Sequence, residues 1–588
     1  MFSSEQWLAN SGADFYNGVA TQSLRFDKAS TAYLTRTPSS ASNRKTWTWS
    51  GWVKPATVGI SAPFFTATTN SAVSFNGNTF RIYNWNGSSN DYILETNAFY
   101  RDSSAWYHIA VAIDTTQGTA SNRIKVYING EQITSFSTET YPSLNFDGFV
   151  NSAAVHRVGS FSHTTSYSFD GYMSDVNFID GLALTPTSFG EFKNGVWIPI
   201  DTSGLTFGTN GFRLQFDQVG VGTASASTIG ADTSGNTNHW TSSGIVASDC
   251  ALPDSPENNF CTLNSNALFQ QGTLSEGNLK FVGDGGNNWD ETSSTFGVSS
   301  GKWYWEVKFL SIQQLNSNIA GIRQTGRTSA GPWYGSNTAV SDIGVEFGVM
   351  DVNGLVTNSS GSGTLTMDIA AGDVVQFRLD LDDNELSVSV DGVDKGKAWD
   401  ITANIEYTPS STVYNSSSVI YNFGQDSSFA GTETATSNTD GNGFGTFHSA
   451  VPSGYLALCT ANLPEPTIGA NSDTQADDHF NTVLYTGDEG TQAITGVGFQ
   501  PDWLWIKVRN EVNSHYIFDS SRGVDQALFS DLTSAEVDYS ATGRMTAFGT
   551  DGFTVETSGS TGTNGNDDTY VAWNWKANGG TATASGSE

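Results

Sequence analysis

The chain has 588 residues, too many for one hydrophobic core, so roughly three or four domains are expected. Its 26 Lys and Arg face 59 Asp and Glu, and the resulting net charge of −33 repels phosphate backbones and acidic membranes, which argues against nucleic-acid binding. With 62 Gly, 36 Phe, 20 Tyr and 17 Trp, and no long run of apolar residues at i, i+3, i+4 and i+7, the composition describes an all-β, turn-rich protein.

Residues 1–20 precede the first strand pattern and carry Trp7, Leu8, Phe15 and Tyr16, a candidate segment for anchoring the chain to a larger assembly. This stretch lacks the basic n-region and apolar h-region of a secretory signal. No apolar run in the chain approaches the ~18 residues that span a bilayer, so no membrane insertion is expected.

Residues 21–200 form the first module. Its strand phrases are Ser23–Asp27, Trp47–Val53, Trp106–Val111, Ile124–Gly130 and Phe169–Val176. Trp47, Trp49 and Val53 share one face of a strand, while Ile124, Val126 and Ile128 alternate before Asn129-Gly130, the favoured pair for a tight hairpin. In this order the phrases resemble a laminin-G-like, concanavalin-A-like jelly roll, which implies a two-sheet antiparallel sandwich. Thr185 and Pro186 suit the start of one short helix.

Residues 201–266 read as a connector that packs on its neighbours through Phe207, Phe212, Leu214 and Phe216, because a disordered linker would hold fewer aromatics. Residues 267–425 hold Gly301–Val307, Ile343–Val349, Gly372–Asp380, Leu386–Gly392 and Tyr421–Gln425. Leu386, Val388 and Val390 alternate with Ser387, Ser389 and Asp391, as in a strand with one wet face, and Asp391-Gly392 supplies a tight turn. Together these phrases resemble a SPRY domain, a sandwich that binds partners through loops. Trp303 and Trp305 read as core.

Residues 426–453 read as a Gly/Ser/Thr/Asn-rich linker, 454–576 as a C-terminal β domain and 577–588 as a flexible tail. The fold class expected is thus all-β, with three β-sandwich or jelly-roll modules in tandem. Their combination, with the connector motif Asp232–Trp240 and Pro253–Phe260, resembles virion proteins of tailed phages of marine or cyanobacterial hosts.

Chemistry is sparse. Glu95, Glu131, Glu139 and Glu191 do not make the paired-carboxylate pattern of a glycosidase, and no Gly-x-Ser-x-Gly elbow is present, so no catalytic residue is assigned. His108 reads as a half-buried structural histidine. Cys250, Cys261 and Cys459 are too few for a disulfide scaffold; Cys250 and Cys261 either pair across a loop or stay reduced. Asp382-Asp383, Asp477-Asp478-His479 and Asp567-Asp568 lack the spacing of a known metal site and read as solvated turn acids, with structural Ca²⁺ the one ion considered and no other cofactor implied.

Two loops join aromatics to amides in the manner of glycan recognition: Tyr83, Trp85 and Asn86 in the first module, and Trp333 and Tyr334 in the SPRY-like one. The resemblance implies a protein of the virion surface (tail fibre, spike or capsid appendage), made in the host cytoplasm and released by lysis. It would occur in several copies, as a homo-oligomer, against other virion proteins and a host-surface glycan or protein. Two rival readings are a decoration protein that binds no receptor and a polysaccharide depolymerase.

Overall fold

The computed structural model describes residues 16–161, 167–193, 195–313, 318–326, 369–463, 476–556 and 562–577, and the backbone of strands 346–350, 356–358 and 361–362. Trp7, Leu8, Phe15, Trp333 and Tyr334 lie outside the described residues. The protein is all-β, built of tandem sandwich modules joined by turns and single 3₁₀ turns. No described helix is long and apolar enough to cross a membrane. Two compact units divide the chain, 1–464 and 465–588.

In the first module, the described residues form a seven-stranded sheet facing an eight-stranded one. Alternation decides which side chains meet between them. Along Thr46–Pro55, Trp47, Trp49 and Val53 point inward to join Ile124, Val126, Phe64 and Phe65 in one core. The opposite face of that strand carries Ser50, Trp52 and Lys54. The predicted turn is present: Asn129 at φ 48° and Gly130 at φ 83° close the hairpin between Ile124–Ile128 and Glu131–Gln132. At Pro186–Ser188 the expected short helix is a single 3₁₀ turn, and Thr185 makes no side-chain cap bond to it.

In the SPRY-like module, Lys302–Ser311 lies in an eight-stranded sheet between Val374–Asp380 and Ser418–Asn422, opposite a six-stranded sheet of the described residues. Trp305 stacks on Phe377 at 5.2 Å, and both belong with Trp303, Leu386 and Val388 to the core.

The connector is no tether. Phe207, Phe212, Leu214 and Phe216 are buried: Phe212–Leu214 pairs with Val176–Phe178 as a strand of the seven-stranded sheet, Thr241–Ser243 pairs with Tyr33–Thr35 in the eight-stranded one, and Phe212, Leu214 and Phe216 enter the core between them. Here the jelly roll and the SPRY-like sandwich are joined through buried charge. Arg25, with no exposed side-chain surface, reaches Asp249 of the connector at 2.9 Å, and Glu276 and Asp426 of the SPRY-like module at 3.3 and 3.4 Å. Lys54 donates to Asp254 at 2.8 Å, to Asn259 at 2.6 Å and to the Phe260 carbonyl at 3.0 Å. Tyr172 donates to the Gly277 carbonyl at 2.8 Å.

Two expected boundaries move. Residues 426–453 are not a free linker, and residues 454–463 do not begin the last module. Asp440 accepts from the backbone of Asn442, Phe444 and Ala457, each at 2.9 Å, and from Asn462 at 2.6 Å. Leu456-Ala457 pairs with Trp303-Tyr304 in parallel, and Phe260, Tyr304, Phe447, Ala457 and Cys459 form a small core of their own. The cause lies in acceptors that composition does not show: Asp440 and Glu306 satisfy the backbone of this Gly-rich stretch, Glu306 binding the amides of His448 and Ser449 at 2.8 and 2.7 Å.

The second unit packs a six-stranded sheet against a three-stranded one, among the described residues, around Leu504, Ile506, Phe518, Phe553, Val555 and Tyr570. All three cysteines are buried and free; burial pushes the Cys250 and Cys459 thiols up to about 12.

Candidate functional site

The outer face of the seven-stranded sheet is open beside the Asn129-Gly130 turn. The hairpin of Gly190–Lys193 and Val196–Pro199 crosses over it and lowers Trp197 onto the Asn129-Gly130 turn. The fit is close. A Cβ added at Gly130 would lie 2.3 Å from the Trp197 ring, and one at Gly190 2.5 Å away, so glycine is required on both sides of the indole. Trp197 also meets the edge of Phe192 at 4.9 Å and lies 5.8 Å from His108.

Beside it opens a groove of about 500 Å³. Trp52, Tyr100, Trp106, Phe192 and Trp197 supply its aromatic wall, and Asn129, Glu131 and Gln132 its polar rim. It is an open groove that joins aromatic faces to polar groups in comparable measure. Several walls are held from behind. The Trp106 indole N–H donates to Asp254 at 3.2 Å, the carboxylate that also holds Lys54. Burial raises the Asp254 pKa and Lys54 opposes that shift. His108, beneath the groove, has its Nε2 2.9 Å from Ser50 Oγ, and its backbone N–H donates to Asn129 Oδ1 at 2.8 Å. Burial pushes the His108 imidazole down to about 3, so it stays neutral under the aromatic wall. It is fully buried, where half-burial was expected.

Flat aromatic faces in a wet groove match the C–H faces of a pyranose ring, while Gln132 and Glu131 are exposed and can exchange hydrogen bonds with hydroxyl groups. Phe192, 53% exposed, is the wall most open to solvent. A smaller recess of about 260 Å³ lies on the same sheet face, between Tyr127, Lys125, Asp114 and Leu184.

The sequence-predicted loop residues lie elsewhere. Trp85 ends the strand Thr79–Trp85 of the eight-stranded sheet and is 37% exposed. Asn86 is committed to its own loop: Oδ1 accepts from the backbone of Ser88 and Ser89, both at 3.0 Å, and Nδ2 donates to Asp91 at 2.8 Å. Tyr83 is half-buried beneath Arg81, whose guanidinium sits 4.8 Å from its ring, and burial raises its phenol pKa. Tyr16, the described member of the expected anchor, is half-buried; burial and then Glu257 push its phenol up to about 12. Its neighbours are fixed too, Asn17 to the Pro199 carbonyl at 2.9 Å and Val19 to Glu257 at 2.8 Å.

Trp52 and Trp106 stand within phrases read only as strands, and Trp197 carried no signal, since Gly130, one of the two glycines that admit it, lies on a distant hairpin. Among the described residues no group of three or more His, Cys, Asp or Glu side chains gathers as a metal site requires.

Comparison with known proteins gives partial matches. Residues 27–188 match the model of the concanavalin A-like lectin/glucanases superfamily, and residues 475–587 match a domain family of unknown function. No curated protein matches the chain. Among solved structures, the SPRY domain of human HERC1 is 19% identical, covering 28% of this chain and 97% of that one, with a TM-score of 0.23. A putative carbohydrate binding protein from Bacteroides ovatus is 15% identical, covering 38% and 58%, with a TM-score of 0.27.

Proposed function

We propose that the chain is a non-enzymatic adhesin of a tailed-phage particle, whose first module binds a host-surface carbohydrate in the aromatic groove. The observation that carries this reading is the groove itself, set in a sandwich that matches a lectin and glucanase superfamily. Binding is favoured over hydrolysis because the groove is lined by one carboxylate, Glu131, whereas paired-acid hydrolysis needs two on opposite sides of the scissile bond. The phage assignment rests on the order of modules and on the connector motif. It implies a protein of the virion surface, released by lysis, in multiple copies beside other virion proteins, without nucleic acid, membrane insertion or cofactor. Its contact with the host is then a glycan and not a protein.

The test is binding of the purified full chain to host cells and to a glycan array, with and without Ca²⁺. Phe192→Ala and Gln132→Ala sit on exposed positions and leave the core intact. The expected result is glycan binding reduced about tenfold by either variant, with unchanged melting, since one good aromatic or polar contact is worth roughly 1–1.5 kcal/mol. Absence of glycan binding by the wild type would favour the decoration role, and release of sugar fragments the depolymerase. A loss confined to Trp85→Ala would move the site to the other sheet.

A further inference from the structure

The second unit carries an aromatic surface that, among the described residues, none of its own strands covers. Its six-stranded sheet has a core face and an outer face. In the strand Trp503–Val508 burial alternates, with Leu504, Ile506 and Val508 inward and Trp503, Trp505 and Lys507 outward. The strand Thr569–Trp575 alternates in the same way, with Trp573 and Trp575 outward.

Register makes these into one patch. Phe480, Trp575 and Trp503 lie opposite one another across three strands, and Thr482, Trp573 and Trp505 form the next row. Ring centroids are 4.7 Å apart for Phe480 and Trp575, 4.3 Å for Trp503 and Trp575, and 5.3 Å for Trp505 and Trp573. Trp505 donates to His515 Nδ1 at 3.2 Å, which fixes its ring. Phe480 and Leu484 are 40% and 64% exposed. Four tryptophans on one wet sheet face exceed what scattered surface apolar residues require.

Charge selects the occupant. The aromatic rows run into Lys507, whose ammonium donates to the Val508 carbonyl and to the Glu511 carbonyl at 3.2 Å, and Arg509 is exposed just past the end of the strand. Asp519, which faces Trp503 across the sheet, is already paired with Arg522 at 2.5 Å. Asp531 accepts from the His515 amide, and Asp568 from Asn510. In a chain with 59 acids against 26 cations, the end of the aromatic rows carries two cations, Lys507 and Arg509, with the exposed Glu511 beside them. Two whole chains, each carrying −33, repel one another over their full surfaces, whereas a single polysaccharide strand meets this face alone.

We propose that this face of the second unit binds an acidic polysaccharide, with its pyranose rings stacked on Trp503, Trp505, Trp573 and Trp575 and its carboxylates toward Lys507 and Arg509. It is a second carbohydrate surface, independent of the groove.

The test measures retention of the full chain on immobilised polygalacturonate, with dextran as the neutral arm and salt varied. The expected result is retention by polygalacturonate and not by dextran, weakened as salt screens the cations. Phe480→Ala and Arg509→Glu should each lower affinity about tenfold, the loss of one hot-spot contact, while Phe192→Ala in the groove leaves it unchanged. Circular dichroism and melting of the two variants show that the unit is still folded. Absence of retention, equal retention by dextran, or retention unaffected by both variants would overturn the proposal. So would concentration-dependent self-association abolished by Phe480→Ala, which would make a second copy the occupant.

Discussion

Replacing Arg25 with alanine should uncouple the jelly roll from the SPRY-like sandwich. The guanidinium is wholly buried, and although burial opposes its charge, Asp249, Asp426 and Glu276 hold its pKa above the ordinary arginine value. The substitution leaves Asp249 and Asp426 in place at 2% and 6% exposure. Stripping one partner from a buried ion pair costs about 3–5 kcal/mol. Part of that is cushioned here, because Asp426 also accepts from Ser428 and Ala430 and Asp249 from Val246, so the expected loss lies near ~3 kcal/mol. Arg378→Ala provides the contrast. Its partner Asp394 is 66% exposed, and an ion pair of that kind contributes below about 1 kcal/mol. Arg25→Lys keeps the charge but cannot fork toward three carboxylates, and should fall between the two. The assay is denaturant unfolding of the full chain followed by Trp fluorescence, fitted with a separate transition for each unit. Protease nicking of residues 201–266 reports the junction directly. If Arg25→Ala shifts the first-unit transition no more than Arg378→Ala, and the connector stays protected, the buried network does not hold the modules together.

Three further outcomes follow from the geometry. Gly130→Ala combines a φ of 83° with a Cβ 2.3 Å from the Trp197 ring, so it should cost about 2–4 kcal/mol through backbone strain and overpacking, and displace Trp197 from the groove in near-UV circular dichroism. His108 has a folded pKa of about 3 and an unfolded value near 6.5, so below pH 6.5 the unfolded chain gains a proton that the folded chain refuses. Stability from this group is complete above that value and is lost as pH falls, reaching about 2 kcal/mol by pH 5; in His108→Asn the fall in unfolding free energy between pH 7 and 5 should be smaller by that amount. Asp440→Ala removes an acceptor of four hydrogen bonds and should cost about 2–4 kcal/mol, with cleavage by protease appearing within residues 440–462.

Much of the fold was legible because strands write a period of two into the sequence. Ile124, Val126 and Ile128 with their Asn129-Gly130 turn, and Leu386, Val388 and Val390 with Asp391-Gly392, are found where that period puts them. What the period omits is partnership across the chain. Arg25 and Asp426 are separated by 401 positions, and nothing local marks either as half of a pair. Residues 426–453 resemble a linker in composition for the same reason: Gly and Ser content describes a backbone without strand pattern, not whether Asp440 and Glu306 are at hand to bind it. The groove leaves no local trace either, because Gly130 makes room for a tryptophan from another hairpin. The aromatic face of the second unit was half visible, as two phrases with Trp at alternate positions, but only the pairing of Trp503 with Trp575 shows that they share a face.

The buried junction also bears on inheritance. Genes assembled from modules trade pieces wherever a cut leaves both halves able to fold. A crossover near residue 200 would take Asp249 and Asp254 away from Arg25 and Lys54, and one near 266 would take Glu276 and Asp426 away from Arg25. A crossover near 464 severs no such pair, because the carboxylates that answer Arg25 and Lys54 all lie on its near side. The jelly roll, connector and SPRY-like sandwich are therefore expected to travel through related genomes as a single heritable block, with the second unit exchanged independently of it.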